Sequence, residues 1–146
     1  MDKQIISIDS PTDFIVGKYV SSDELKQYMN APYKIKAGVF ILCMEGYIRT
    51  TINQSEYTST RHHVTTLIPN SYLQIHEMSE EILIYFVAFS SDFMGYVNFV
   101  RSTMNCLSVI YKNPVIPISQ EMSCLFATFY DLLFQYAIYP NILNNK

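Results

Sequence analysis

Three histidines, three cysteines and two pairs of adjacent acids are the side chains that could do chemistry in this chain. A metal needs imidazoles gathered on one side of the backbone. His62 and His63 are neighbours, which a strand would send to opposite faces, and His76 stands apart, so neither HxH nor HExxH spacing exists. Turn or surface positions are expected for all three. Cys43, Cys106 and Cys124 form an odd set without CxxC spacing, which argues against both a disulfide framework and a cysteine-rich zinc site. Cys43 falls in an apolar run, where a thiol stays protonated and inert. Glu80-Glu81 and Asp23-Glu24 lie in polar stretches and read as solvated charge. The four glycines make no P-loop, GxGxxG or GxSxG. The expectation is no catalytic residue, no metal and no cofactor.

Packing and recognition therefore carry the message. The 146 residues hold ten Lys plus Arg against thirteen Asp plus Glu, a formal charge of −3, with 49% hydrophobic and only 16% charged residues. A single domain of this size buries roughly 70% of its unfolded surface and needs no staple. Sparse charge with 12 Tyr and 9 Phe suggests a surface with apolar parts that meet a partner. Net negative charge offers no electrostatic footprint for nucleic acid, which is held by clustered Lys and Arg. The N-terminus MDKQIISIDS does not fit a signal peptide, and the longest apolar run, Ile82 to Phe89, is far short of the ~18 residues of a membrane span. A cytoplasmic protein without membrane contact is expected.

The elements that must position any site change in period along the chain. Up to Phe89, short runs rich in Val, Ile, Thr, Tyr and Phe alternate with turn residues, as in a β-barrel. Ala37 to Asn53 reads as a hairpin turning at Glu45-Gly46, with Cys43 opposite Ile48, Ile41 opposite Thr50 and Val39 opposite Ile52. Alternation puts Ile48, Thr50 and Ile52 inside, and registering the first strand against the second adds Val39, Ile41 and Cys43. Phe40, Leu42 and Met44, on the other face, are as apolar and need a cover. Asn53-Gln54-Ser55 forms a turn before a strand around Tyr57. Further strands are expected at Val64 to Ile68, Tyr72 to His76 and Ile82 to Phe89, and with segments near Ile5, Phe14 and Tyr33 make about eight, enough for a small ligand-holding barrel.

Beyond Phe89 the period is helical. Ser90-Ser91-Asp92 caps a helix of about ten residues that buries Phe93, Val97 and Val100, and Ser119 caps another running to about Ile138, stopped by Pro140. The second is apolar on two sides, and its own domain can cover one of them, leaving the other for a second subunit or for a loop or the first helix. Met122, Leu125, Phe129 and Leu132 are expected on Phe40 and Leu42. Phe126, Tyr130, Leu133 and Phe134 are then expected at a homodimer contact.

The hairpin VFILCMEGYIRTTIN, the strand-turn-strand RHHVTTLIPNSYLQI, the run EEILIYFVAFSSDF and the stretch NPVIPIS before a long apolar helix resemble, in order, the N-terminal cupin-like domain of AraC-family transcription regulators. The resemblance spans about Tyr33 to Ile138. It implies a small jelly-roll barrel over residues 1–89 that binds a small-molecule effector. Two helices over residues 90–140 would pair subunits, and the tail 141–146 would begin a linker to a helix-turn-helix domain lying beyond this chain, through which alone DNA is read. Ile84 and Phe86 join the expected cavity lining on the same ground. The family's Pro-Gly-Asp turn is replaced by Arg61-His62-His63, its second turn matches Pro69-Asn70-Ser71, and Gln74 falls where metal-binding cupins place a His. A metal-dependent cupin enzyme and a ligand-free dimerisation module are the competing readings: the first needs a metal or an acid-base pair in the barrel, the second a filled interior. The apolar lining predicts an apolar or aromatic effector rather than a sugar.

Overall fold

A computed structural model describes residues 5–96 and 112–138. In chain order they form β1 (Ile6–Ile8), β2 (Phe14–Ser21), α1 (Ser22–Leu25) continued by a single 3₁₀ turn (Lys26–Tyr28), β3 (Tyr33–Ile35), β4 (Gly38–Glu45), β5 (Tyr47–Ile52), β6 (Ser55–Thr60), β7 (His63–Leu67), β8 (Ser71–Met78), β9 (Leu83–Phe89), α2 (Ser91–Tyr96), β10 (Val115–Pro117) and α3 (Gln120–Ile138). The chain is mainly β, with two five-stranded sheets ordered β1-β3-β8-β5-β6 and β10-β7-β4-β9-β2. Pairing is antiparallel except between β1 and β3. Among the described residues the sheets stay separate, without the continuous ladder of a closed barrel. No described helix is long and apolar enough to cross a membrane.

The expected hairpin of β4 with β5 does not form. β4 pairs with β7 and β9, whereas β5 pairs with β6 and β8 in the other sheet. Gly46 alone separates the two strands, at φ 77, and a Cβ there would collide with the Ser79 side chain and the Ile82 backbone. The chain thus turns a corner between sheets, pressed against the β8–β9 turn, where Ser79 Oγ accepts from the Tyr47 amide at 3.0 Å. The two-residue hairpin is instead at Asn53-Gln54, both at positive φ, between the paired Ile52 and Ser55. The inward face of β5 follows from its own alternation and does not depend on its neighbour, whereas that of β4 is set by α3, which covers the Leu42 face and leaves Val39, Ile41 and Cys43 inside.

Both helix starts carry the expected serine caps. Ser90 Oγ accepts from the Phe93 amide at 3.0 Å and Ser119 Oγ from the Met122 amide at 3.1 Å. Val97, Val100, Cys106, Pro140 and the tail 141–146 lie outside the described residues. The Pro-bounded segment before α3 adds β10 as an edge strand on β7.

The two stripes of α3 are exchanged relative to the expectation. Tyr130, 2% exposed, enters a cluster with Leu42, Val64, Tyr85 and Val87, and Phe126 and Leu133 pack beside it. Its hydroxyl donates to the Phe40 carbonyl at 3.2 Å. Phe134 lies under the Lys18 ammonium, 5.1 Å from its ring centroid, and Lys18 pairs with Asp131 at 2.7 Å. Phe126, Tyr130, Leu133 and Phe134 therefore fasten the helix to its own sheet and are not a free dimer face. Met122, Leu125, Phe129 and Leu132 are the exposed stripe. Burying this stripe requires a partner for the Tyr130 hydroxyl, and the Phe40 carbonyl supplies one.

Candidate ligand cavity

The inner faces of the two sheets do not fill the space between them, and a cavity of about 230 Å³ remains. One wall is built from β4 and β9, where Val39 stands opposite Ala88 and Ile41 opposite Phe86. The facing wall comes from β5 and β8, with Thr50 opposite Ile75. Of the residues expected to line the interior, Val39, Ile41, Ile48, Thr50, Ile84 and Phe86 do so. Cys43 and Ile52 face the same way without reaching the cavity. Cys43 packs with Val20, Ile82 and Ile84 at one end, and Ile52 with Ile35, Ala37 and Leu67 at the other. Burial pushes the Cys43 thiol up to about 11, so it is neutral and unreactive at physiological pH.

Several wall residues escaped the sequence reading. Thr65 and Leu67 follow from alternation in β7, within the run Val64 to Ile68 that reads as a strand. Ser59 had no apolar signal, because β6 (SEYTST) is polar on both faces and is identified by its pairing with β5. Tyr28 and Tyr33 stand near the chain's entry to β3, their rings 5.6 Å apart edge to face.

The cavity reaches the surface where exposed Asp9 and Tyr28 form part of its wall. Asp9 is committed to the fold: its carboxylate accepts from the Ser10 amide at 2.8 Å and from the amide and hydroxyl of Ser91. Partial burial works against its charge, but these hydrogen bonds prevail and hold its carboxyl below the usual range. It anchors the start of α2 and is not poised for acid-base work.

The histidines lie away from the cavity. His62 occupies a positive-φ turn position, and His63 Nδ1 accepts from the Thr60 amide at 2.8 Å. His76 Nε2 is 2.6 Å from the Thr51 hydroxyl. Gln74 pairs with Thr51, the face opposite to the cavity-lining pair Thr50 and Ile75. The position matched to a cupin ligand thus faces outward. Among the described residues no three His, Cys, Asp or Glu side chains converge. No known protein family matches the chain, and no curated protein resembles its sequence significantly.

Proposed function

We propose that this chain is the effector-sensing and dimerisation domain of a cytoplasmic AraC-type transcription regulator, with the two sheets as its cupin-like jelly roll. A separate helix-turn-helix domain of the same regulator would read the DNA. The observation that carries this reading is that one set of strands has the cavity on one face and α3 on the other. Ile41 and Phe86 line the cavity, while Leu42, Tyr85 and Val87 of the same strands bury Tyr130. A small molecule held by those strands would act directly on the seat of the helix. The open 230 Å³ disfavours a filled dimerisation module, and the outward Gln74 and His76 disfavour a metal-dependent cupin enzyme.

Dimerisation is assigned to Met122, Leu125, Phe129 and Leu132, whose 3-4-3 spacing is that of a two-helix seam, with Leu125 64% exposed. Light scattering tests it at tens of micromolar protein. The wild type is expected as a dimer and Leu125→Asp as a folded monomer, because the new carboxylate would meet the partner's apolar seam. Leu133→Asp should instead destabilise the fold by several kcal/mol, roughly the cost of burying an unpaired carboxylate. A wild-type monomer, or a dimer indifferent to Leu125→Asp, would remove the dimerisation half of the proposal.

A further inference from the structure

Three hydroxyl side chains in the cavity wall are more than nine-tenths buried: Thr50 at 8%, Ser59 at 5% and Thr65 at 7% exposed. Among the described residues none of the three hydroxyls makes a hydrogen bond, and none is sealed in packed protein as an unsatisfied atom. Their oxygens therefore open onto the cavity. They also come from both sides. Thr50 pairs with Tyr57 on β6, so Ser59, two residues on, is its diagonal neighbour on the inner face, and Thr65 pairs with Ile41 in the other sheet. The remainder of the wall is almost wholly aliphatic and aromatic. It contains no Lys, Arg or His, and its one carboxylate, Asp9, is engaged by Ser10 and Ser91.

We infer that the cavity takes a neutral, mainly apolar molecule the size of one substituted ring, carrying a hydroxyl or carbonyl group that Thr50, Ser59 and Thr65 hold. The inference rests on the sensor reading above and narrows its ligand. Each property has its own cause. An anion would enter without a cation to meet it, and a cation would find only the committed Asp9 at the edge. A sugar would turn hydroxyls toward walls that are mostly aliphatic, where Ser10 and Tyr33 already donate to the Thr12 and Gln27 carbonyls. A plain hydrocarbon would dry the three hydroxyls without replacing their water, which is the penalty that lets a polar site reject an analogue lacking the matching group. By proportion to the ~150 Å³ apolar cavity that accommodates benzene, this one holds roughly ten non-hydrogen atoms.

Titration calorimetry at neutral pH with 4-propylphenol, propylbenzene, 4-ethylbenzoate and glucose tests the inference. The phenol is expected to bind about tenfold more tightly than propylbenzene, one net hydrogen bond's worth, with no measurable heat from benzoate or glucose. Thr50→Val and Thr65→Val keep the side-chain shape, and Ser59→Ala removes only its hydroxyl. Each should weaken the phenol while leaving propylbenzene unchanged or slightly tighter, and any one that folds suffices. Equal binding of phenol and propylbenzene by the wild type, or a ratio untouched in every folded variant, overturns the hydroxyl assignment and leaves the sensor reading standing. Binding of benzoate or glucose in preference overturns the ligand class. Binding of none of the four overturns this inference and the sensor reading together.

Discussion

The two faces of β4 and β9 have nearly the same composition and opposite packing. Outward, Leu42 is 0% exposed and packs with Val64, Tyr85, Val87 and Tyr130 under α3. Inward, Ile41 and Phe86 border open space. The usual logic of a small domain would have the sheet-sheet interior tightly packed and the helix-covered surface looser. Here the slack is on the inside. The outer face is filled beneath the helix, and the inner face has room beside it.

The comparison breaks most directly through neighbours on one strand. Leu42→Ala should cost about 2–5 kcal/mol, because the surrounding cluster cannot collapse into the space left. Ile41→Ala, which enlarges a cavity already present, should cost roughly half of that or less. Urea denaturation of the two variants measures the difference. Equal losses would mean that the inner face is as tightly packed as the outer.

A smaller effect is expected at Tyr130. Tyr130→Phe keeps the ring in the Leu42 cluster and removes the hydroxyl that donates to the Phe40 carbonyl, at a cost of about 1 kcal/mol in the same assay. No change would mean that the hydrogen bond adds nothing to the packing of the ring, and that apolar contact alone selects the inward stripe.

The choice of stripe also marks the limit of what the sequence discloses. Alternation is enough to place the inward residues of β5, but β4 is apolar on both faces, and the hairpin register that points Val39, Ile41 and Cys43 inward does not exist. Strand partners were not legible, because Glu45-Gly46 looks the same whether the chain doubles back or turns a corner. What decides is the fit of Gly46 against Ser79 and Ile82, residues more than thirty positions away. Asn53-Gln54-Ser55 was legible as a turn, but without a glycine its tight two-residue form between Ile52 and Ser55 was not. On α3 both stripes satisfy the helical period, and hydrophobicity favours the wrong one, Met122, Leu125, Phe129 and Leu132. The inward place of Tyr130, with its hydroxyl on the Phe40 carbonyl, is a contact that no periodicity reveals. The cavity itself was legible only as a set of inward residues, because unfilled space is a property of two sheets facing each other.

The smallest expected change in stability probes the slack itself. Gly17 on β2 pairs with Phe86, and the Phe86 ring lies where a Gly17 side chain would be. In Gly17→Ala the ring must give way. Backbone strain does not enter, since Gly17 is not among the positive-φ residues. The only question is whether the ring has somewhere to go. The cavity lies beside it, so it should swing inward at a cost within about 1 kcal/mol, below the usual range for overpacking a core. On the filled face, Ala127→Leu adds bulk between α3 and the Leu42 cluster without such an outlet and should cost about 1–3 kcal/mol. The displaced Phe86 ring would occupy part of the 230 Å³, so Gly17→Ala should also bind 4-propylphenol less tightly than the wild type while melting at nearly the same temperature. Thermal melting and calorimetry on one preparation read both quantities. A large loss of stability with affinity intact would place the slack elsewhere, and would overturn the contrast between the two faces at the residue where the cavity meets the strand that supports the helix.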